Sequence, residues 1–184
     1  MKRVAFTTAL AAASLTAAAW PALAALKPGA AAPDFSAPAY LAGEPYTYKL
    51  SDALKKGPVV LYFFPAAHTA GCNLEARLFS QAAKDFKTQG ASIVGVTAGK
   101  TGELADFSRE TEHCAGKFPV AADAGLKIAK SYDAQLGPMA PVSSRTSYVI
   151  APNGKVLHAY SNMSPDRHVD ETLQAVKAWR KSKK

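Results

Sequence analysis

The stretch VVLYFFPAAHTAGCNLEARLFSQAAKDFK, Val59 to Lys87, decides how the rest of the chain is read. Val59 to Phe63 is an unbroken apolar run and predicts a buried strand, which Phe64-Pro65 ends because proline has no N–H to give a ladder. Past Gly71 the apolar residues Leu74, Leu78, Phe79, Ala82 and Phe86 recur at helical spacing, so the chain passes from strand to amphipathic helix within a few residues. Cys72 falls in the first turn of that helix. Unpaired N–H groups and the positive end of the helix dipole stabilise an anion there, and for cysteine the anion is a thiolate. Cys72 is therefore a candidate nucleophile.

On the N-terminal side, Ala25 to Phe35 is rich in proline and glycine and predicts an extended arm. Tyr46, Tyr48 and Leu50 alternate with polar neighbours as in a short strand, and Ser51 or Asp52 can cap a helical turn before Gly57-Pro58. On the C-terminal side, Ala91 to Thr97 reads as a second buried strand and Thr101 to Cys114, with Leu104 and Phe107 on one face, as a second helix. Strand, helix, strand, helix implies parallel pairing. Phe118 to Ala121 is a short extended piece, Asp123 caps a helix through Leu126, Ile128 and Ala129, and Gly137 to Pro141 is irregular. Thr146 to Ile150 and Val156 to Tyr160 are strands joined through Asn153-Gly154, a pair that favours positive φ and marks an antiparallel hairpin. Ser164-Pro165 then opens a helix with Val169, Leu173, Val176 and Trp179 as its buried stripe. This order is that of an α/β, thioredoxin-like fold, a mixed central β-sheet flanked by helices.

The first residues carry an address. Lys2 and Arg3, the alanine-rich apolar segment to Ala19 and the Ala22-Leu23-Ala24 cleavage pattern predict a signal peptide over residues 1–24, hence export to the periplasm rather than stable membrane insertion. Residues 25–184 then form one domain, with 20 basic against 14 acidic residues once Lys2 and Arg3 are removed. Much of the excess is the tail Arg180, Lys181, Lys183 and Lys184, which reads as a solvated helix end and not as a nucleic-acid site. The only cysteines are Cys72 and Cys114, and in an oxidising compartment the pair admits a structural disulfide as well as a catalytic one.

The loop before Cys72 adds the imidazole of His68, the hydroxyl of Thr69 and the rigid Pro65. Dithiol exchange needs a Cys-x-x-Cys pair, but Glu75 holds the partner position. A thiolate without a close partner has another use, attack on an O–O bond to give a sulfenic acid. His113, His158 and His168 show no recognisable metal-ligand spacing with His68, and no metal or other cofactor is expected.

Pro65-Ala-Ala-His-Thr69-Ala-Gly-Cys72 fits the signature P-x-x-x-T-x-x-C and resembles the peroxiredoxin family. Extended to FFPAAHTAGCNLEA it is similar to the peroxiredoxin Q, or bacterioferritin-comigratory, subgroup, and SSRTSYVIAPNGKVLHAY resembles that family's later arginine, strand and hairpin. The resemblance implies a thiol-dependent peroxidase acting on hydrogen peroxide and small organic hydroperoxides. It makes Cys72 the peroxidatic cysteine, with Thr69 bonding thiolate and peroxide, Pro65 shielding the pocket and Arg145 favouring the thiolate and polarising the peroxide. Many such relatives carry a resolving cysteine five residues after the first, where this chain has Arg77. Cys114 resembles the alternative resolver, which would close an intramolecular disulfide; an outside thiol is the other possibility. His68 and Ala70 also depart from the subgroup's loop. The implied partner is an unidentified thiol reductant, thioredoxin-like or of low molecular weight, and the implied state is a monomer. Two readings stand beside this one: an exported binding protein with a Cys72–Cys114 bridge, and a thiol-disulfide oxidoreductase.

Overall fold

Alternation along Val59 to Phe64 divides the molecule into two layers, with Val59, Leu61 and Phe63 in the core on one side of a sheet and Val60, Tyr62 and Phe64 in the core on the other. The computed structural model describes residues 25–183, so the expected signal peptide lies outside the described residues. In chain order the elements are β1 (Ser36–Leu41), β2 (Glu44–Lys49), α1 (Leu50–Leu54), β3 (Val59–Phe63), α2 (Ala70–Thr88), β4 (Ser92–Thr97), α3 (Leu104–Arg109), β5 (Val120–Ala122), α4 (Lys127–Ser131), β6 (Thr146–Ile150), β7 (Val156–Ser161) and α5 (His168–Lys181). The strands form one seven-stranded sheet in the order β2-β1-β5-β4-β3-β6-β7. Pairing is parallel for β3 with β4 and β4 with β5, and antiparallel for β3 with β6, β6 with β7, β1 with β5 and β1 with β2. This is the expected thioredoxin-like architecture.

Central β3 is buried along its whole length because both faces are covered. α1 and α4 contribute Leu50, Leu54, Ile128 and Ala129 to one core, while α2, α3 and α5 contribute Phe79, Phe86, Phe107 and Val176 to the other. Cys72 and Cys114 both belong to that second core.

Several local expectations are corrected. Ser36–Leu41 is a strand the pattern did not announce; a hairpin through Ala42 (φ 53°) and Gly43 (φ 88°) pairs it with β2. The cap of α1 comes from Asp34, whose Oδ1 accepts from Ser51 N at 3.0 Å, and not from Ser51 or Asp52. The predicted helix from Thr101 to Cys114 is a 3-10 turn at Thr101–Glu103 followed by only six residues of α3. Glu110 leaves it with extended backbone angles, and Ala115 N and Gly116 N donate back to Glu110 O and Ser108 O, so Cys114 sits in a tight turn beyond the helix. α5 starts at His168 instead of Ser164, and its most buried residues are His168, Thr172 and Val176. Asp123 caps as expected, its two carboxylate oxygens accepting from Ile128 N (2.9 Å) and Ala129 N (2.7 Å).

Candidate active site

The strand-to-helix loop is pinned at both ends. Ser143 Oγ donates to Phe64 O (2.7 Å) and Thr97 Oγ1 to Pro65 O (3.1 Å), while Ala66 bridges in parallel to Gly99, so the loop leaves β3 in one direction. Thr69 has extended backbone angles and stands at the N-cap of α2, its carbonyl accepting from Asn73 N at 2.8 Å. Cys72 follows as the third residue of the helix and is 2% exposed.

The buried face of α2 is Cys72, Glu75, Ala76 and Phe79, turned away from the one that Leu74 and Leu78 suggested. A glutamate therefore points into the core one turn from the thiol. Its partner is Arg145, just before β6, which donates through Nη1 to Glu75 Oε2, through Nη2 to Cys72 Sγ (3.6 Å) and through Nε to Met163 O (3.0 Å). One guanidinium thus uses its rigid fork to hold a carboxylate and face a sulfur at once. Gly71 makes room for it: a Cβ there would stand 3.0 Å from Arg145 Nη2. Burial pushes the Glu75 carboxyl up while the Arg145 guanidinium pulls it down, and direct contact with that fixed positive charge keeps the carboxylate form.

Behind this pair lies His168, whose Nδ1 is 3.6 Å from Glu75 Oε1. Its Nε2–H donates to Asn162 O (2.9 Å) and its Nδ1 accepts from Ser147 Oγ (2.8 Å), an arrangement that fixes the neutral ring. Burial, with Arg145 adding to it against the hydrogen bond to Asn162, lowers His168 to about 4. The buried Tyr62 hydroxyl has no hydrogen-bond partner among the described residues, and its ionisation is pushed up by burial and by its nearness to Cys114, Glu75 and Cys72.

Of the residues singled out from sequence, Cys72 and Arg145 are in direct contact and Pro65 anchors the loop. Thr69 is exposed and its hydroxyl donates to Ala66 O (3.1 Å), which leaves Oγ1 free to accept. Cys114 is a fully buried free thiol, and burial raises its ionisation far above the ordinary range. Arg145 makes its ion pair with Glu75 and its contact with the Cys72 thiol at the same time. His168 was missed; the only sequence signal was its position one turn before Thr172 and two before Val176 on the buried stripe. A second cluster, His68, Glu103, Glu110 and His113, is assembled from two separate segments that spacing in the sequence does not connect.

The site is thus a helix-start thiol faced by a buried arginine on a thioredoxin-like sheet. Residues 28–159 match the AhpC/TSA family, and the chain belongs to that peroxiredoxin family. It is 37% identical over 136 residues, 72% of this chain and 86% of the other, to a Mycobacterium tuberculosis protein named as a peroxiredoxin. It is 31% identical over 125 residues to the chloroplastic peroxiredoxin Q of Sedum lineare, 67% of this chain and 66% of that one. The chain thus spans just under two thirds of the Sedum relative, and 56% of those from rice. Among solved structures, peroxidoxin BcpB from M. tuberculosis superposes with a TM-score of 0.73 at 33% identity, covering 83% of this chain and 97% of that one. AhpC from Enterococcus faecalis, at 20% identity and a TM-score of 0.75, shares the fold.

Proposed function

We propose that this protein is an exported thiol peroxidase that reduces hydrogen peroxide and small organic hydroperoxides. The observation that carries the reading is the Arg145 fork, 3.6 Å from Cys72 Sγ, at the first turn of α2. The Cys72 thiolate attacks the near oxygen of the peroxide; an S–O bond forms, the O–O bond breaks, and the far oxygen leaves with the electron pair and takes up a proton as water or alcohol. Charge grows on the departing oxygen, so donors already in place at Arg145 and the free N–H groups of the helix start stabilise the transition state more than the bound peroxide. Thr69 Oγ1 can accept the peroxide O–H and orient it.

The Cys114 thiol then attacks the sulfur of the Cys72 sulfenic acid, giving a disulfide and releasing water. Cys114 is buried in a turn closed by Ala115 N to Glu110 O (2.9 Å) and Gly116 N to Ser108 O (2.8 Å), so this step requires that turn and the start of α2 to open. A thioredoxin-type or small thiol outside the chain restores the two thiols. The enzyme acts as a monomer in the periplasm, delivered by residues 1–24, with residues 25–184 as its catalytic domain and without a metal or organic cofactor in the chemical step. Peroxide consumption with dithiothreitol as reductant tests the reading: Cys72→Ser abolishes turnover, whereas turnover that survives in this variant would refute it.

A further inference from the structure

The cluster beside the active-site loop is arranged as a metal site. His68 lies between β3 and α2, on the loop leading to Cys72, and adopts a left-handed φ of 54° that a non-glycine residue reaches only at a cost. Glu103, Glu110 and His113 come from the segment that ends in Cys114. His68 Nε2 is 3.1 Å from Glu110 Oε2, and His113 Nδ1 is 2.7 Å from the same oxygen. The three residues offer ligand atoms all within 4.8 Å of one another. The ligand-to-ligand edge of a tetrahedral zinc site with bonds of about 2.0–2.1 Å is about 3.3 Å. Both histidine–Glu110 distances lie within about 0.6 Å of that edge, and the two histidine nitrogens, at most 4.8 Å apart, reach it by a side-chain adjustment of up to about 1.5 Å.

Two further observations point to a cation. His113 is only 9% exposed and stacks on Phe107, yet its Nδ1 is a buried nitrogen with no hydrogen-bond partner among the described residues, since Glu110 is near but off line. His68 Nδ1 meets Glu103 Oε2 at 2.7 Å, the carboxylate–histidine pairing that turns the other ring nitrogen into a ligand. Glu110 is partly exposed, which gives an ion access and leaves room for water as a fourth ligand.

We propose that His68 Nε2, Glu110 and His113 Nδ1 bind a divalent transition cation of the zinc class, supported from behind by Glu103, and so tie the Cys72 loop to the Cys114 turn. Such a tie opposes the opening that disulfide formation needs; this consequence, unlike the binding itself, rests on the peroxidase reading.

Zn²⁺ titrated calorimetrically into the purified protein carrying Cys72→Ser and Cys114→Ser removes thiolate binding from the measurement. One equivalent binds, His68→Ala or His113→Ala in that background abolishes it, and Glu103→Gln weakens it by about 10- to 100-fold. Each histidine variant keeps a cooperative unfolding transition without zinc, which shows that it is folded, and Zn²⁺ raises the unfolding temperature of the parent but not of these variants. No binding, or equal binding by parent and histidine variants, would overturn the site. With both cysteines present, Zn²⁺ slows disulfide formation after peroxide in the wild-type protein and not in His113→Ala; an unchanged rate with zinc bound, or equal slowing in His113→Ala, would overturn the tie. A protein that binds zinc but never reacts with peroxide refutes the peroxidase reading alone.

Discussion

Arg145 Nη2 stands 3.6 Å from Cys72 Sγ while Nη1 of the same side chain holds the buried Glu75 carboxylate. Lysine would keep the charge but lose the fork, and could not serve both partners. Arg145→Lys should slow the reaction of Cys72 with peroxide by about 100-fold or more, the effect of losing one preorganised donor to a developing oxyanion. Stopped-flow tryptophan fluorescence or competition for peroxide measures it, and a rate within threefold of wild type would remove Arg145 from the chemistry.

Glu75 has a different task, to hold Arg145 in place. Its carboxyl is fully buried, so Glu75→Ala leaves a buried guanidinium without its countercharge and should cost about 3–5 kcal/mol in urea unfolding. Glu75→Gln retains an acceptor for Nη1 and should lose clearly less stability than Glu75→Ala.

Gly71 separates stability from activity. Alanine is favoured over glycine in a helix, by up to about 1 kcal/mol in the interior and less at this second position of α2, but its Cβ would press on Arg145 Nη2 at 3.0 Å. Gly71→Ala should therefore leave the unfolding temperature unchanged or raised while the peroxide rate falls on the order of tenfold, because small misplacements at a reacting centre are costly. An equal loss of stability and rate would contradict the proposed contact.

His168 introduces a pH dependence. Its folded-state value, about 4, lies below the unfolded value of 6.5, so the unfolded chain binds the extra proton between those limits. The stability involved is complete above about pH 6.5 and is lost as pH falls toward 4, amounting to about 3 kcal/mol. Urea unfolding of wild type and His168→Gln across this range isolates the contribution: the difference between them should change over that window and stay flat above it.

The strand, loop and helix from Val59 to Lys87 were legible because an apolar run, a proline stop and a helical period each act locally. The hairpin strand Ser36–Leu41 was not, since Pro38 and three small residues, Ser36, Ala37 and Ala39, give weak strand propensity and its order comes from pairing with β2 and β5. Gly102 weakens the start of the expected helix, but nothing between Leu104 and Cys114 breaks one; α3 stops because the following turn folds back on Ser108 and Glu110. Cys72, Thr69, Pro65 and Arg145 could be picked out by motif. Position alone leaves Glu75 either a first-turn acid or a partner of Arg145, and the choice is made only when Arg145, 70 residues away, is brought against it; the pairing of His168 with Ser147 is likewise tertiary. The His68–Glu110–His113 cluster joins two segments only after the sheet has formed.

Intact-mass analysis of the reduced protein before and after one equivalent of hydrogen peroxide tests the central claim most directly, on wild type and on Cys114→Ser. Wild type should lose two hydrogens, and the variant should gain one oxygen or a trapped sulfenic acid at Cys72. No prompt change in either protein would contradict the peroxidase account and leave a thioredoxin-like scaffold whose thiols serve another purpose.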